Sequence, residues 1–245
     1  MSRIDRLSAL IARFSLSVRP VTGGEANLGV LCDAGEAGMH VVLTPRATGA
    51  LGLGPGALAA RLDWGGASNP LIAALPERVE MAVDAASETA ALLRVFAAEA
   101  REMRCGAGSV LDRLGEVIVI RLLRAEMGRG AAGPGLIAGL ADARLSRAIV
   151  SMHDDLGRAW TVADLAAEAG LSPSRFAEVF AGAVGETPFA YLRGWRMALA
   201  RQDLAGGARV ESVARRYGYT SGEALTRAFR KAFGESPTAL RRHAA

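Results

Sequence analysis

The chain has 245 residues, of which 51% are hydrophobic and 5% aromatic, and its net charge is +4. The apolar fraction is ample for packed cores in two domains and excludes an intrinsically disordered chain. Cys32 and Cys105 are too few for a disulfide framework, and neither a signal peptide nor an apolar run of about 18 residues is found, so we expect a cytoplasmic protein.

Short apolar runs between Gly, Pro and Asn follow a predicted opening helix. Residues 1–13 place apolar and charged side chains at helical spacing, which predicts that helix. From about residue 14 to residue 64 the runs are too short for helices and predict β-strands joined by turns. The most apolar runs are Leu28–Cys32, Met39–Leu43, Leu51–Leu53 and Leu58–Leu62.

Two amphipathic helices are predicted over residues 88–127. Glu88–Met103 and Val110–Met127 each carry an apolar stripe at helical spacing, and two such helices in sequence form an antiparallel pair. Gly128–Gly135 contains four glycines and is typical of a linker. We therefore expect a first domain over residues 1–127, a linker over residues 128–141 and a second domain over residues 142–245.

An internal repeat dominates the second domain. The segment Val162–Gly170 recurs 48 residues later as Val210–Gly218, and each copy is followed by a polar turn and a second amphipathic stretch. The order is helix, turn and helix, and two such units can bind two neighbouring stretches of one DNA groove. Pro188–Leu204 predicts a long connecting helix, which would place the two units about 34 Å apart, one turn of the duplex.

The first unit carries the expected signals for its helix ends. Thr161 can cap the first helix, Gly170 can end it with a positive φ, and Ser172 can cap the second helix. The predicted buried face of that second helix consists of Phe176, Val179 and Phe180. The opposite face presents the candidate groove contacts Ser174, Arg175, Ala177 and Glu178.

In the second unit Ser221 can cap a helix with the predicted buried residues Leu225, Ala228, Phe229 and Ala232. The predicted groove contacts are Gly222, Glu223, Thr226, Arg227, Arg230 and Lys231. An arginine near the start of such a helix can donate to guanine O6 and N7, which is worth about 1–3 kcal/mol of base discrimination. We assign this role to Arg227, and we assign phosphate contacts to Arg230 and Lys231.

The excess positive charge lies in the repeated region. Residues 1–141 carry 14 basic and 14 acidic residues, whereas residues 142–245 carry 15 and 11. The stretch 210–245 alone holds 7 basic and 3 acidic residues, so the second unit is the more cationic. This asymmetry is typical of a nucleic-acid-binding unit joined to a neutral partner module, although a solvated basic tail would carry the same charge.

Over residues 142–243 the two units, the connecting stretch Pro188–Met197 and the ending Phe229–Pro237 closely resemble the AraC/XylS family of transcriptional regulators. The resemblance implies an α+β, mostly α fold: a shortened cupin-like β-barrel with a helical pair, then an all-α domain of two helix-turn-helix units joined by a long helix. It also implies a bacterial regulator that binds double-stranded DNA, forms a homodimer through the helices at 88–127, senses a small-molecule effector and contacts RNA polymerase.

The first unit departs from the family pattern at two positions. Members often carry arginine or another donor where this chain has Glu178, and larger polar groups where it has Ala177. An acid is repelled by phosphates, although it can accept a hydrogen bond from cytosine N4. Cytosine recognition and simple exposure to solvent are both open for Glu178, and we expect the second unit to supply much of the affinity.

The first domain resembles a reduced cupin. Met39–Leu43 is similar to a central cupin strand and Leu53–Leu58 to its glycine-proline turn, but Asn69–Pro76 follows that turn almost directly, so the barrel is expected to be shortened. The histidines are His40, His153 and His243, which cannot assemble a metal centre within the barrel. We therefore expect no catalytic residue, metal or cofactor, and His40 is interpreted as a partly buried strand residue rather than a ligand-sensing one.

The leading hypothesis is a sequence-specific, effector-responsive DNA-binding transcription regulator that reads two adjacent major-groove segments. One alternative is a degenerate family member that acts mainly by protein association. Another is a cupin-type small-molecule-binding protein or enzyme, which the missing metal ligands and the shortened barrel disfavour.

Overall fold

A computed structural model of the chain describes residues 7, 11, 15–22, 24–31, 39–49, 51–52, 56–65, 69, 71–72, 75–129 and 133–244. The chain divides into two compact units, Phe14–Gly130 and the combination of Met1–Arg13 with Ala131–Ala245. The first unit contains an antiparallel sheet and a helical pair, and the second contains a series of short helices around one long helix. This arrangement confirms the predicted α+β, mostly α class.

One five-stranded sheet is formed by the described residues of the first unit. Its strands are β1 (Leu16–Pro20), β2 (Leu28–Leu31), β3 (Met39–Leu43), β4 (Leu58–Trp64) and β5 (Val79–Val83). The order across the sheet is β1-β4-β2-β3-β5, and every neighbouring pair is antiparallel. Three of the predicted apolar runs are therefore confirmed as strands.

Two strand predictions need correction. Leu51 and Gly52 lie outside any strand, because Gly52 adopts φ 68°, a left-handed conformation that a strand does not tolerate; Leu53 is outside the described residues. β5 was not predicted, yet it pairs along the whole of β3, from Met39 opposite Val83 to Leu43 opposite Val79. The sheet thus continues past the predicted limit at residue 64.

Asn27 stabilises the centre of the sheet through its side chain. Its amide nitrogen donates to the carbonyl of Leu62 at 2.9 Å, and its amide oxygen accepts from the Leu62 N–H at 2.7 Å. The side chain therefore pairs with a residue of β4 as a ladder partner would. Because Asn27 is only 4% exposed, these two bonds offset the cost of burying its amide.

The predicted helical pair consists of α1 (Glu88–Glu102) and α2 (Ala107–Arg129). Ser87 caps α1 by accepting from the N–H of Ala90. α2 packs against both β1 and β5, and the Asp112 carboxylate accepts the Val18 N–H of β1 at 2.7 Å. A Cβ at Gly115 would overlap the Val18 side chain, so glycine permits this close approach. α2 therefore protects the two edge strands of the described sheet.

The second unit contains eight described helices. They are α3 (Leu136–Ala141), α4 (Leu145–Asp154), α5 (Val162–Ala169), α6 (Pro173–Val184), α7 (Pro188–Ala205), α8 (Val210–Arg216), α9 (Gly222–Phe233) and α10 (Pro237–Ala244). The segment predicted as a linker, 128–141, contains the end of α2 and all of α3, which packs on α4 and α6. Of the predicted opening helix only Leu7 and Ile11 are described; both are buried, and the Ile11 N–H donates to the Leu7 carbonyl.

The core of the second unit is aromatic. Phe180 and Trp195 lie on either side of Tyr191, with ring centroids 5.6 Å and 6.2 Å away. His153 of α4 is fully buried here, with Nε2 2.7 Å from the Tyr191 hydroxyl and its ring edge-on to Trp195. Burial raises the pKa of Tyr191 well above its usual value. α4, α6 and α7 are thus held together around one cluster.

No helix in the described part of the chain is long and apolar enough to span a bilayer.

Candidate nucleic-acid interface

The first helix-turn-helix unit consists of α5 and α6, and its ends are capped as predicted. The Thr161 hydroxyl accepts from the Asp164 N–H at 3.1 Å, while the Asp164 carboxylate accepts from the Thr161 N–H at 2.9 Å, which together form a capping box. The hydrogen bond from the Thr161 hydroxyl lowers the pKa of Asp164. α5 ends at Gly170 with φ 68°, and Ser172 caps α6 by accepting from the Arg175 N–H.

α6 has one buried and one exposed face. Phe176 and Phe180 are fully buried, with ring centroids 5.5 Å apart, whereas Val179 is only half-buried. Of the predicted groove contacts on the other face, Ser174, Arg175 and Glu178 are exposed and Ala177 is half-buried. The periodicity therefore placed Phe176 and Phe180 in the core and the polar side chains outside it, but it did not separate Val179 from Ala177, and α6 presents a short, mixed polar surface.

The charged side chains of this surface bind each other. Nη1 of Arg175 donates to Oε2 of Glu178 at 2.9 Å, one helical turn away. Both side chains remain well exposed, at 57% and 70%, so the pair is weak and can be broken by a stronger partner. In the free protein, however, the only arginine on the predicted groove-contact face of α6 is neutralised by its neighbour.

The second unit consists of α8 and α9. Gly218 follows α8 with φ 74°, and Ser221 caps α9 by accepting from the Ala224 N–H at 3.1 Å. Leu225 and Phe229 are fully buried and anchor α9. These features confirm the predicted helix, turn and helix.

Two of the residues predicted to be buried on α9 are not: Ala232 is exposed and Ala228 is only half-buried. The apolar contact near the end of α9 comes instead from Phe233, whose ring centroid is 4.7 Å from that of Phe229. The Arg201 guanidinium of α7 lies 4.9 Å over the Phe233 ring and covers its other side. The buried stripe thus turns towards α7 at the end of the helix.

Three cations on α9 are exposed and unpaired. Arg227, Arg230 and Lys231 form no ion pair or side-chain hydrogen bond with any residue that the structure describes. Glu223, in the first turn, likewise has no ion pair within the described residues, and it is exposed. α9 therefore differs from α6, since its cations are free to bind an anionic partner without breaking an internal contact.

Two other predicted contacts of α9 are engaged within the unit. The Thr226 hydroxyl donates to the Gly222 carbonyl at 2.8 Å, which leaves its oxygen free only to accept. Gly222 is half-buried, and a Cβ there would lie 3.1 Å from Oε1 of Glu211 and 3.3 Å from a methyl group of Val210. Gly222 therefore lies at the contact with α8, where the missing Cβ allows the two helices to come close.

A polar cluster that the sequence did not reveal attaches α8 to α7. Oδ2 of Asp203 accepts from Nη1 of Arg216 at 2.6 Å and from the Tyr217 hydroxyl at 2.8 Å. Burial, and to a smaller extent the hydrogen bond to Asp203, raises the pKa of Tyr217. Helical spacing could not predict this cluster, because Asp203 lies 13 residues before its partner Arg216 and on a different helix.

The predicted strand histidine lies where the pattern placed it. His40 is half-buried on β3, opposite Leu31 of β2 and Ala82 of β5. Within the described ranges of the chain, no group of three or more His, Cys, Asp and Glu side chains could hold a metal ion. Cys105 is exposed, and Cys32 and the side chain of His243 lie outside the described residues.

Two family models match this chain. The model described as a helix-turn-helix domain matches residues 165–243, and the model described as a cupin matches residues 56–128. An AraC-like transcription regulator of Streptomyces lividans is 38% identical over 136 residues, which are 55% of this chain and 45% of the relative. The transcriptional regulator AlkR of Acinetobacter baylyi is 30% identical over 174 residues, 69% of this chain and 57% of the relative.

Among solved structures, this chain is similar to the DNA-binding domain of AdpA in complex with a target DNA. The match covers 42% of this chain and 93% of the AdpA domain, with 30% identity and a TM-score of 0.40. The chain spans about half the length of the curated relatives it matches. The first match begins inside α5 and covers the rest of both helix-turn-helix units, and the second covers α1 and all but the last residue of α2. The chain therefore contains a helix-turn-helix domain and a cupin-type segment, and it is similar to AraC-like transcription regulators.

Proposed function

We propose that this chain is a sequence-specific DNA-binding transcription regulator that inserts α6 and α9 into two adjacent segments of the major groove. The observation that carries the proposal is the exposed face of α9. It presents three unpaired cations, Arg227, Arg230 and Lys231, on a helix whose start is capped by Ser221 and whose other face is anchored in the core. A rigid helix with free cations on one side is the arrangement that groove recognition needs.

The two units divide the work unequally in this proposal. Each free cation of α9 can replace a condensed counterion at a phosphate, and Arg227, on the second turn of α9, can reach a guanine edge. Arg175 of α6 has to leave Glu178 before it can bind DNA. α9 therefore supplies most of the affinity, and α6 adds a smaller contribution on the neighbouring stretch of groove.

The proposed assignment gives DNA binding to residues 142–245, and sensing and dimerisation to residues 1–127. Support for a homodimer through the helical pair comes from exposed apolar side chains: Val95 and Met103 in or next to α1, and Val110 and Val117 on α2, are 39–56% exposed. Val110 and Val117 are seven residues apart and lie on one face of α2. Exposed apolar side chains that share a helix face are typical of a helix-helix contact.

The proposed effector site is a cleft in the first unit. A cleft of about 890 Å³ lies beside the sheet, and its lining includes Val21, Glu25, Leu58 and Ala100. A lining that is about half apolar and half polar, with one carboxylate, suits a small amphipathic molecule better than a metal ion. A contact with RNA polymerase would follow from the proposed regulatory role, and no catalytic step is assigned to the chain.

The test is a binding measurement on the full chain with DNA fragments from its own genomic neighbourhood. We expect binding to one fragment to survive excess non-specific competitor DNA. The slope of log affinity against log salt concentration should become shallower by about one for each α9 cation replaced by alanine. Arg101→Ala is the matched control, because Arg101 is an exposed arginine of α1 and its loss removes the same charge. Binding without any sequence preference would contradict the proposal.

Two other outcomes would favour the alternatives. Retained dimerisation without a specific DNA site would favour action by protein association alone. A stoichiometric transition ion in the purified protein would favour the cupin-type binding protein or enzyme.

A further inference from the structure

The loop that leads into the first helix-turn-helix unit touches the turn of the second. A Cβ at Gly157, in the connection between α4 and α5, would lie 2.7 Å from the Arg216 carbonyl oxygen at the end of α8. A Cβ at Gly218, in the turn between α8 and α9, would overlap the Gly157 carbonyl oxygen. The two backbones therefore meet at a distance that only glycine allows on both sides.

Arg196 of the connecting helix α7 bridges the same loop. Its Nε donates to the Leu156 carbonyl at 2.6 Å and its Nη2 donates to the Arg158 carbonyl at 2.7 Å. The same Nη2 would lie 3.2 Å from a Cβ at Gly218, so the guanidinium sits next to the second turn as well. One planar side chain of α7 thus contacts both the first loop and the second turn, and a single ammonium group could not make the same set of contacts.

The loop is itself well supported. The Trp160 indole N–H donates to the Asp155 carbonyl at 2.9 Å, and the Arg158 guanidinium stacks 4.0 Å over the Trp160 ring. The Asp155 side chain accepts from the Arg158 N–H at 3.0 Å. Because the loop continues directly into the capping box at Thr161, its position sets the position of the first unit.

A second side chain of α7 also holds this turn. Asp203 binds both Arg216 and Tyr217, the two residues before Gly218. The turn therefore has contacts with Asp203 and with the loop that Arg196 bridges. Neither contact involves α6 or α9 directly, and both act on the segments that lead into those helices.

We infer that Arg196, Gly157 and Gly218 are positioning residues that lock the two recognition helices at one separation and angle, and so make binding strict about the spacing of the two DNA segments. The inference rests on the proposed function. One inserted base pair moves the second segment by about 3.4 Å and turns it by about 35°, so a rigid pair of helices cannot follow both segments without deforming the DNA.

The variants weaken the contact in two different ways. Gly157→Ala places a methyl group against the Arg216 carbonyl, at a glycine whose own φ does not require glycine. Arg196→Met removes both bridging hydrogen bonds and keeps an unbranched apolar side chain like the stem of arginine, and Arg196→Lys can replace only part of the bridge. Gly194→Ala is the matched control, because it lies on α7 with nothing within 4 Å of the new Cβ.

The first measurement compares the selected DNA site with sites that carry one inserted or deleted base pair between the segments. The wild type and Gly194→Ala should lose at least about tenfold in affinity for each base pair inserted or deleted. Gly157→Ala and Arg196→Met should lose less than about threefold, and Arg196→Lys should lie between these limits. A fragment with the α9 segment alone should bind all variants equally, which excludes simple unfolding. Unchanged spacing profiles in the variants would overturn the inference.

The second measurement does not depend on DNA. Spin labels at Ser174→Cys and Glu223→Cys, in a full chain with Cys32→Ser and Cys105→Ser, report the distance distribution between α6 and α9. We expect one narrow distribution in the wild type and Gly194→Ala, and a broader one in Gly157→Ala and Arg196→Met. Distance distributions of equal width in the wild type and in these two variants would overturn the inference, whether or not the chain binds DNA. If the variants give broader distributions but no protein binds DNA specifically, only the proposed function is refuted.

Discussion

Single charged side chains distinguish the two recognition helices. In α6, Arg175 is paired with Glu178, whereas the three cations of α9 have no partner among the described residues. An exposed pair one turn apart is worth less than about 1 kcal/mol, so Glu178 weakens Arg175 as a DNA ligand without abolishing it. The expected difference between the helices is therefore one of degree.

Glu178→Gln tests this difference. Removing the carboxylate frees Arg175 and removes a repulsion from phosphates, so we expect affinity to rise about three- to tenfold at low salt, with a steeper salt dependence. Glu168→Gln is the control, because Glu168 is an exposed acid of α5 with no described ion pair, and it should raise affinity less. Loss of preference at one G·C pair instead would show that Glu178 accepts from cytosine.

Asp142 accepts hydrogen bonds at the start of α4 and makes the stability of the folded protein depend on pH. The Arg144 side chain donates to its carboxylate, and this bond, with the N–H groups of Arg144 and Leu145, lowers the pKa of Asp142 to about 2. Since the folded pKa lies below the unfolded one, the stabilisation is present above pH 4 and lost as pH falls towards 2. Asp142→Asn should remove about 1 kcal/mol at pH 7 and flatten this part of the stability curve.

The measurement is denaturant unfolding between pH 2 and pH 7. Asp154→Asn, at an exposed acid of the same helix, is the control and should leave the curve unchanged. A pH dependence of Asp142→Asn equal to that of the wild type would contradict the assignment.

Helix ends were largely predictable and strand edges were not. Thr161, Gly170, Ser172 and Ser221 act on backbone within three residues of themselves, so local sequence is enough to identify them. β1 and β5 depend on partners far along the chain, and β5 has only two buried residues, Val79 and Val83. The glycine contact at Gly157 was also missed, because its partner, Arg216, lies 59 residues away and nothing in the local sequence marks it.

Thr161→Ala measures what one cap contributes to α5. The change removes the acceptor for the Asp164 N–H and the hydrogen bond to the Asp164 carboxylate, so we expect the free energy of unfolding to fall by about 1 kcal/mol. Thr220→Ala removes the same atoms from an exposed turn residue and should cost less than about 0.5 kcal/mol. Equal losses in circular-dichroism melts would show that the capping box does not stabilise α5.

The boundary near residue 130 between the two compact units lies within the proposed linker, although residues 1–13 belong to the unit with the helix-turn-helix domain. Each compact unit has its own core: the sheet with α1 and α2 in one, and the aromatic cluster around Tyr191 in the other. The repeat was enough to predict two helix-turn-helix units. It could not reveal how these two units are coupled, since this depends on contacts between segments that are distant in sequence.

Val117→Glu tests the proposed dimer. A carboxylate on the exposed apolar face of α2 would be buried in a helix-helix contact without a partner, so we expect the dimer dissociation constant to rise at least about tenfold. Ser109→Glu adds the same charge at an exposed polar position of α2 and should change it little. Light scattering across a concentration series distinguishes the two variants, and an unchanged dimer in Val117→Glu would exclude this face.

The most direct test of the central claim, that α9 reads bases through Arg227 and holds phosphates through its neighbours, is a base-substitution series on the selected DNA site. Wild type, Arg227→Ala and Arg230→Ala are each titrated against every single-base variant of that site. Arg227→Ala should lose about 1–3 kcal/mol of discrimination at one guanine and keep its other preferences, while Arg230→Ala should bind all sites more weakly by a similar factor. Uniform weakening by Arg227→Ala, with every base preference intact, would contradict the account and make Arg227 a phosphate contact.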